Sequence, residues 1–167
     1  MKQTLILGIL LCIALAGFSQ NAEKEVGIRA GLSSGFEYRV YSEEQSSYKI
    51  LLSTRKQGLQ LTGLKEYHEP DIFDIGEDFS LVYGLGVHVG FETWHTNSYA
   101  IAYPYEQYRV RKTGLIAGLD ALAALEYTIP TVPFVVGLEI KPYFNLFGEN
   151  FIQFQPFDIA FTVKYSF

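Results

Sequence analysis

Phe157-Asp158-Ile159-Ala160-Phe161-Thr162-Val163-Lys164-Tyr165-Ser166-Phe167 is the stretch that decides the fold. Every second residue, from Phe157 to Phe167, is apolar or aromatic, while Asp158, Ala160, Thr162, Lys164 and Ser166 are small or polar. Successive side chains point to opposite faces of a strand, so this segment has one apolar and one hydrophilic face. Such a strand can close a membrane-spanning β-barrel if the rest of the chain supplies partners with the same two faces.

Seven earlier segments do so. Val26, Ile28, Ala30 and Leu32 oppose Gly27, Arg29, Gly31 and Ser33, and Ser33-Ser34-Gly35 signals a turn. Phe36, Tyr38 and Val40 oppose Glu37 and Arg39, before a polar connection over 42–47. A third strand runs from about Tyr48 to Arg55, and Lys56-Gln57-Gly58 turns the chain. The fourth covers Leu59 to His68, with Lys65 interrupting its apolar face and Leu64 its polar one. Pro70 has no N–H to give a ladder and ends it. An acidic connection leads to the fifth, Phe79 to Phe91, and residues 92–112 form the longest connection.

The sixth covers about Leu115 to Ile129. Its 119–126 stretch has helix-former chemistry, but Leu119, Ala121, Ala123, Leu125, Tyr127 and Ile129 keep a period of two and select a strand. Pro130 to Pro133 turns the chain into the seventh, Phe134 to Leu146, which runs across Pro142; residues 147–156 are a loop. The prediction is an all-β, eight-stranded antiparallel up-and-down transmembrane β-barrel. A second drawing makes Gly27 to Val40 one strand and adds another near Tyr99 to Tyr105. It ranks behind because it buries the Ser-Ser-Gly turn signal.

The 167 residues suit one domain. Lys2, the apolar run Leu5 to Ala16 and the small residues around Ser19 predict a signal peptide over residues 1–20, with a barrel domain over 21–167. Leu10 and Leu11 before Cys12 are too bulky for a lipid-attachment site, and no cysteine follows the predicted leader, which argues against a disulfide-stapled scaffold. A net charge of -5 without a basic stripe argues against nucleic acid. Hydrophobic content of 49% comes without an apolar run of about 20 residues, so any crossing is made by strands.

Alternation alone does not choose the lipid face. A secreted lipocalin-like barrel has an apolar lumen, but eight strands enclose little more than side-chain space. Phe, Tyr, Leu and Ile from every strand would overfill it, so the apolar face is predicted outward. The inward face then carries Arg29, Arg39, Lys49, Arg55, Lys141 and Lys164 against Glu37, Glu66, Asp120, Glu126, Glu139 and Asp158, six against six. Unpaired buried charge is costly, so an interlocked neutral network and a plugged lumen are expected. Interior glycines and small residues support the alternative of a narrow pore or transporter for small solutes.

The chain resembles the small eight-stranded outer-membrane barrels of the OmpA/OmpX type, and more closely exported barrel proteins of Bacteroidota. The residues that carry this are 27–35 (Gly-Ile-Arg-Ala-Gly-Leu-Ser-Ser-Gly), 61–68, 83–91 (Tyr-Gly-Leu-Gly-Val-His-Val-Gly-Phe), 141–146 and Phe167. The resemblance implies residence in the bacterial outer membrane, among its lipids, with both termini periplasmic. It also implies delivery by the barrel assembly machinery, with Phe161, Tyr165 and Phe167 as the assembly signal. It implies architecture rather than activity. The balanced interior and the absence of a catalytic set point to no catalytic residue, cofactor or metal, and to a monomer with a structural or surface-interaction role through extracellular loops.

Candidate chemistry is sparse. His88 is predicted inward among glycines, where a packed, hydrogen-bonded histidine fits better than a lipid hydrolase's base. His68 and Glu66 share a face without a third metal ligand in sequence view. Trp94, Tyr99, Tyr103, Tyr105 and Tyr108 crowd the longest connection. They are read as an extension of the aromatic girdle, with binding of an extracellular glycan, a lipid headgroup or a protein ligand as the competing reading.

Overall fold

The computed structural model describes residues 23–55, 58–70, 76, 78–99, 107–147 and 152–167. The expected signal peptide, Lys56-Gln57, most of the 71–78 connection, Tyr103, Tyr105 and Gly148-Glu149-Asn150 lie outside them. Ten β segments follow one another: β1 Lys24–Gly31, β2 Ser34–Glu43, β3 Ser46–Arg55, β4 Gly58–Pro70, β5 Phe79–Tyr99, β6 Gln107–Thr128, β7 Phe134–Ile140, β8 Tyr143–Phe147, β9 Gln153–Gln155 and β10 Ile159–Ser166. Successive segments pair antiparallel from β1 through β7, and β8 pairs antiparallel with β9. β7 and β8 both pair with β6 and are two halves of one barrel strand; β9 and β10 are halves of the next. β10 returns to β1, from Glu25↔Ser166 to Gly31↔Ala160, which closes an eight-stranded barrel. Lys24 and Phe167 exchange backbone hydrogen bonds at 3.1 and 2.9 Å and complete the ring.

The last strand is built as its alternation predicts: Phe161 is 69% exposed and Lys164 is 1% exposed. Ser33 and Leu32 turn the chain between β1 and β2, so Gly27 to Val40 is not one strand. Residues 119–126 lie in β6, where their twofold period overrides helix propensity. Pro142 divides the seventh barrel strand; its carbonyl still accepts from the Ala121 N–H at 2.9 Å, while Lys141 N–H bonds to the Asp158 carbonyl at 3.0 Å.

Three expected connections are corrected. The 42–47 segment shrinks to a turn at Glu44 and Gln45, because β2 and β3 extend into it. The 147–156 segment contains β9, whose Phe154 pairs with Phe144. The largest change concerns 92–112, predicted as a loop. Glu92 to Tyr99 continue β5 and Gln107 to Lys112 continue β6, in unbroken register from Phe91↔Leu115 to Tyr99↔Gln107. Its β-branched and aromatic residues favour a ladder, and its polarity reflects the fact that the hairpin continues beyond the apolar belt.

The outer surface carries exposed apolar side chains on every barrel strand, such as Ile28, Ile50, Leu61, Val87, Leu119 and Leu138. Toward the end bearing the termini it becomes aromatic. Tyr67 stacks on Tyr83 at 5.8 Å, Phe79 meets Tyr127 at 4.7 Å, and Phe134 meets Tyr165 at 5.5 Å. Lys65, the one cation on the apolar face of β4, sits there with its ammonium 5.8 Å from the Tyr48 ring and 5.4 Å from the Tyr67 ring. That is the placement of a long side chain at an apolar–polar boundary.

Tight curvature requires small inward residues. A Cβ added at Gly118 would stand 2.0 Å from the Phe144 carbonyl oxygen and 2.7 Å from His88 Cε1, whereas one at outward Gly63 meets nothing within 4 Å. Gly118→Val should therefore cost about 1–3 kcal/mol by overpacking and lower the urea midpoint of the folded protein in micelles. Gly63→Val should leave that midpoint within error. Equal midpoints for the two variants would contradict the close approach at Gly118.

Candidate functional site

Inward-facing positions gather the charges. Arg39 on β2 is fully buried, and its planar fork suits several carboxylates at once. Its Nε donates to Glu66 at 2.7 Å, Nη1 to Glu25 at 2.8 Å and to Glu126 at 2.9 Å, and Nη2 to Glu126 at 2.8 Å. β2 and β6 stand opposite each other in the ring, so the Arg39–Glu126 pair crosses the lumen. Lys49 on β3 makes a second crossing to Glu139 on β7, at 2.7 Å, and also lies 2.8 Å from Glu66.

From these two crossings the remaining charges branch. Arg29 Nε donates to Glu139 at 2.8 Å, and Arg29 reaches the Asp158 carbonyl at 3.0 Å as well as Ser33. Lys164 bonds Glu126. Lys141 bonds Asp120 at 2.9 Å and lies 3.7 Å from Asp158. Arg55 lies 3.8 Å from Asp158, with its guanidinium over the Tyr143 ring at 4.8 Å. Glu37 is held by Lys49 at 3.5 Å; among the described residues neither of its oxygens accepts a hydrogen bond.

Sequence reasoning missed two members. Glu25 and Glu92 are 2% and 4% exposed, so among the described residues eight carboxylates face six cations. Each continues an inward alternation by one more step, Glu25 ahead of Gly27 and Glu92 after Gly90. The strand limits predicted from alternation start after Glu25 and stop before Glu92, which is why neither is expected to be buried. Between these charges β4, β5 and β6 also hold an apolar patch, with Leu64, Val82, Leu122 and Ala124 in one buried cluster. Leu64 breaks the polar pattern of β4 because it belongs to that cluster.

His88 bridges Asp120 at 2.6 Å through Nδ1 and Asn145 Oδ1 at 2.9 Å through Nε2, with the Tyr143 ring edge-on at 5.6 Å. Asn145, His88, Asp120 and Lys141 thus form one hydrogen-bonded chain. His68 Nε2 meets Ser47 Oγ at 2.8 Å, beneath the Tyr41 ring at 4.9 Å. Ser47 is fully buried and also donates to Glu66 at 3.2 Å, so this Ser–His contact is closed to substrate.

Outside the lumen, Trp94, Tyr99 and Tyr108 belong to the β5–β6 hairpin rather than to a loop. Trp94 is half-buried, its ring lying over Gly114, where an added Cβ would stand 2.5 Å from Cη2. Among the described residues an aromatic girdle lies at the other end, around Tyr67, Tyr83, Phe134 and Tyr165. Phe161, Tyr165 and Phe167 all point outward, and Tyr165 stacks on Phe167 at 6.2 Å.

The fold is similar to that in the crystal structure of the N-terminal β-barrel domain of Pseudomonas aeruginosa OprF. The TM-score is 0.53 at 14% identity, over 87% of this chain and 96% of that one. No protein-family model matches the chain, and no curated protein matches it by sequence. The likeness is one of architecture, an eight-stranded barrel.

Removing a single partner from a buried ionic network strands the others. Arg39→Met leaves Glu25, Glu66 and Glu126 without their guanidinium and should cost about 3–5 kcal/mol. Glu25→Gln added to it should recover part of that loss, because Arg39 is the only cation paired with Glu25 among the described residues. Urea titration followed by the fluorescence of Trp94, the only tryptophan, measures both. Purely additive losses would show that the two residues are not coupled.

Proposed function

We propose that this protein is an integral outer-membrane β-barrel with a plugged lumen, acting structurally and through the surface it displays at one end. The observation that carries the plug is the pair of transverse contacts, Arg39 to Glu126 and Lys49 to Glu139, each joining opposite walls through buried groups. A channel of water between those walls would have to separate charges that lie 2.7–2.8 Å apart. Membrane residence is supported by the exposed apolar belt, by the aromatic ring at one end and by ring closure, which leaves no strand edge to lipid.

In this reading residues 1–20 are an export leader, the barrel assembly machinery recognises Phe161, Tyr165 and Phe167, and the barrel is a monomer. Both termini face the periplasm with the aromatic girdle, and the long β5–β6 hairpin faces outward, as long connections of such barrels do. A non-catalytic role is supported by the state of the two buried histidines, each engaged inside the lumen.

A narrow cation-selective passage is the second reading. It is favoured by the surplus of carboxylates and by Glu37, whose oxygens accept no hydrogen bond among the described residues. Recording in planar bilayers separates the two. The plugged barrel should give no regular conductance steps, and the unboiled protein should migrate differently from the boiled protein on a detergent gel. Regular steps whose selectivity changes in Glu37→Gln would overturn the plug in favour of the passage.

A further inference from the structure

The β5–β6 hairpin leaves the apolar belt as a two-stranded ribbon, and its outward face changes chemistry abruptly. On that face Phe91 pairs with Leu115, Thr93 with Thr113 and His95 with Arg111, and Arg109 comes next along β6. Arg109, Arg111 and His95 are exposed, and neither arginine has an ion pair among the described residues. The Cα atoms of Arg109 and Arg111, two residues apart on one face, are roughly 7 Å from each other, at about 3.4 Å per residue.

Directly below them the same face forms an apolar groove. Ala117 is its floor, a small residue between Val89 of β5 and Phe147 of β8, its two register partners. Phe91 and Leu115 line its upper part, and Leu115 is 81% exposed. The heights match a bilayer. From Tyr127, in the aromatic girdle, to Leu115 is twelve residues of β6, roughly 41 Å of strand. At a tilt of about 40° this rises about 31 Å, the thickness of a hydrocarbon core. Arg111 lies four residues further and Arg109 six, about 10 and 16 Å beyond the core edge by the same geometry, just past the headgroup layer of roughly 5–8 Å. Arginine side chains can bend back toward an interface from there.

We propose that this face is a binding site for a phosphate-bearing lipid of the surrounding leaflet, with an acyl chain in the Ala117 groove and the phosphate on Arg109 and Arg111. The forked guanidinium suits phosphate oxygens in pairs, and the hairpin register holds His95 beside them. The inference rests on the outward-facing hairpin of the proposed membrane orientation, which makes the lipid a phosphorylated glycolipid of the outer leaflet.

The test uses the full folded barrel in uncharged detergent micelles, titrated with diphosphorylated lipid A and followed by native mass spectrometry. Wild type should retain the lipid, and its dephosphorylated form should bind at least about tenfold more weakly, the loss of one charge-assisted phosphate contact. Arg109→Gln/Arg111→Gln should weaken the phosphorylated lipid to the level of the dephosphorylated one. Ala117→Phe, which fills the groove floor, should weaken both lipids. Inorganic phosphate should compete poorly, since it has no chain for the groove; equal competition would reduce the site to a simple anion patch and overturn the proposal. So would equal retention of the two lipids by wild type, a comparison that does not depend on any variant folding. A barrel that shifts on heating yet shows no phosphate preference overturns this site alone, whereas a chain that shows no heat shift and does not enter vesicles overturns the membrane reading beneath it.

Discussion

The guanidinium of Arg39, held by carboxylates from three other strands, is the contact on which the interior depends. Burying a charge is tolerable only when its partners are close and well oriented. Here Glu25, Glu66 and Glu126 converge on one planar fork from β1, β4 and β6. That convergence fixes the relative heights of those strands, because a slip of one residue would turn a carboxylate out to the apolar face. Lys49 repeats the arrangement between Glu66 and Glu139. The register of the ladder and the ionic core therefore specify each other: backbone pairing brings the charges inward, and the charges penalise any other pairing.

Most of the architecture was legible because a closed barrel writes one rule on every strand. Alternation gave the number of strands and the outward face. The inward charges could be named because they occupy the polar phase of that alternation. Other features were not legible, for physical reasons. Nothing local in 92–99 and 107–112 separates a polar loop from a polar ribbon; only pairing between the two makes them β. Glu25 and Glu92 lay just beyond the limits drawn for their strands, so their burial went unseen. Which cation meets which acid depends on strand tilt and side-chain reach, which a list of residues does not contain. The Leu64 irregularity was visible, but its reason, the Val82 and Leu122 side chains beside it, is tertiary.

Two kinds of contact fill the lumen. One is ionic and built from long side chains that span the barrel; the other is an apolar patch of Leu64, Val82, Leu122 and Ala124 set among the charges of β4 to β6. Glycine backbones such as Gly118 let the strands coil tightly enough for these layers to meet. His88 lies where the two regimes touch, fastened to Asp120 and Asn145 and flanked by Tyr143.

Closure of the ring by Lys24 and Phe167 has a consequence for how the protein is made. The first strand finds its second partner only when the far end of the chain arrives, so one of its edges stays open until then. Contacts of such long range are slow to form, because chain entropy is lost before they stabilise anything. An open edge beside an apolar face is meanwhile a template for self-association. A chain of this topology is thus most vulnerable between synthesis and closure. Sequestering it over that interval, more than stabilising the finished barrel, is what its production demands of the cell.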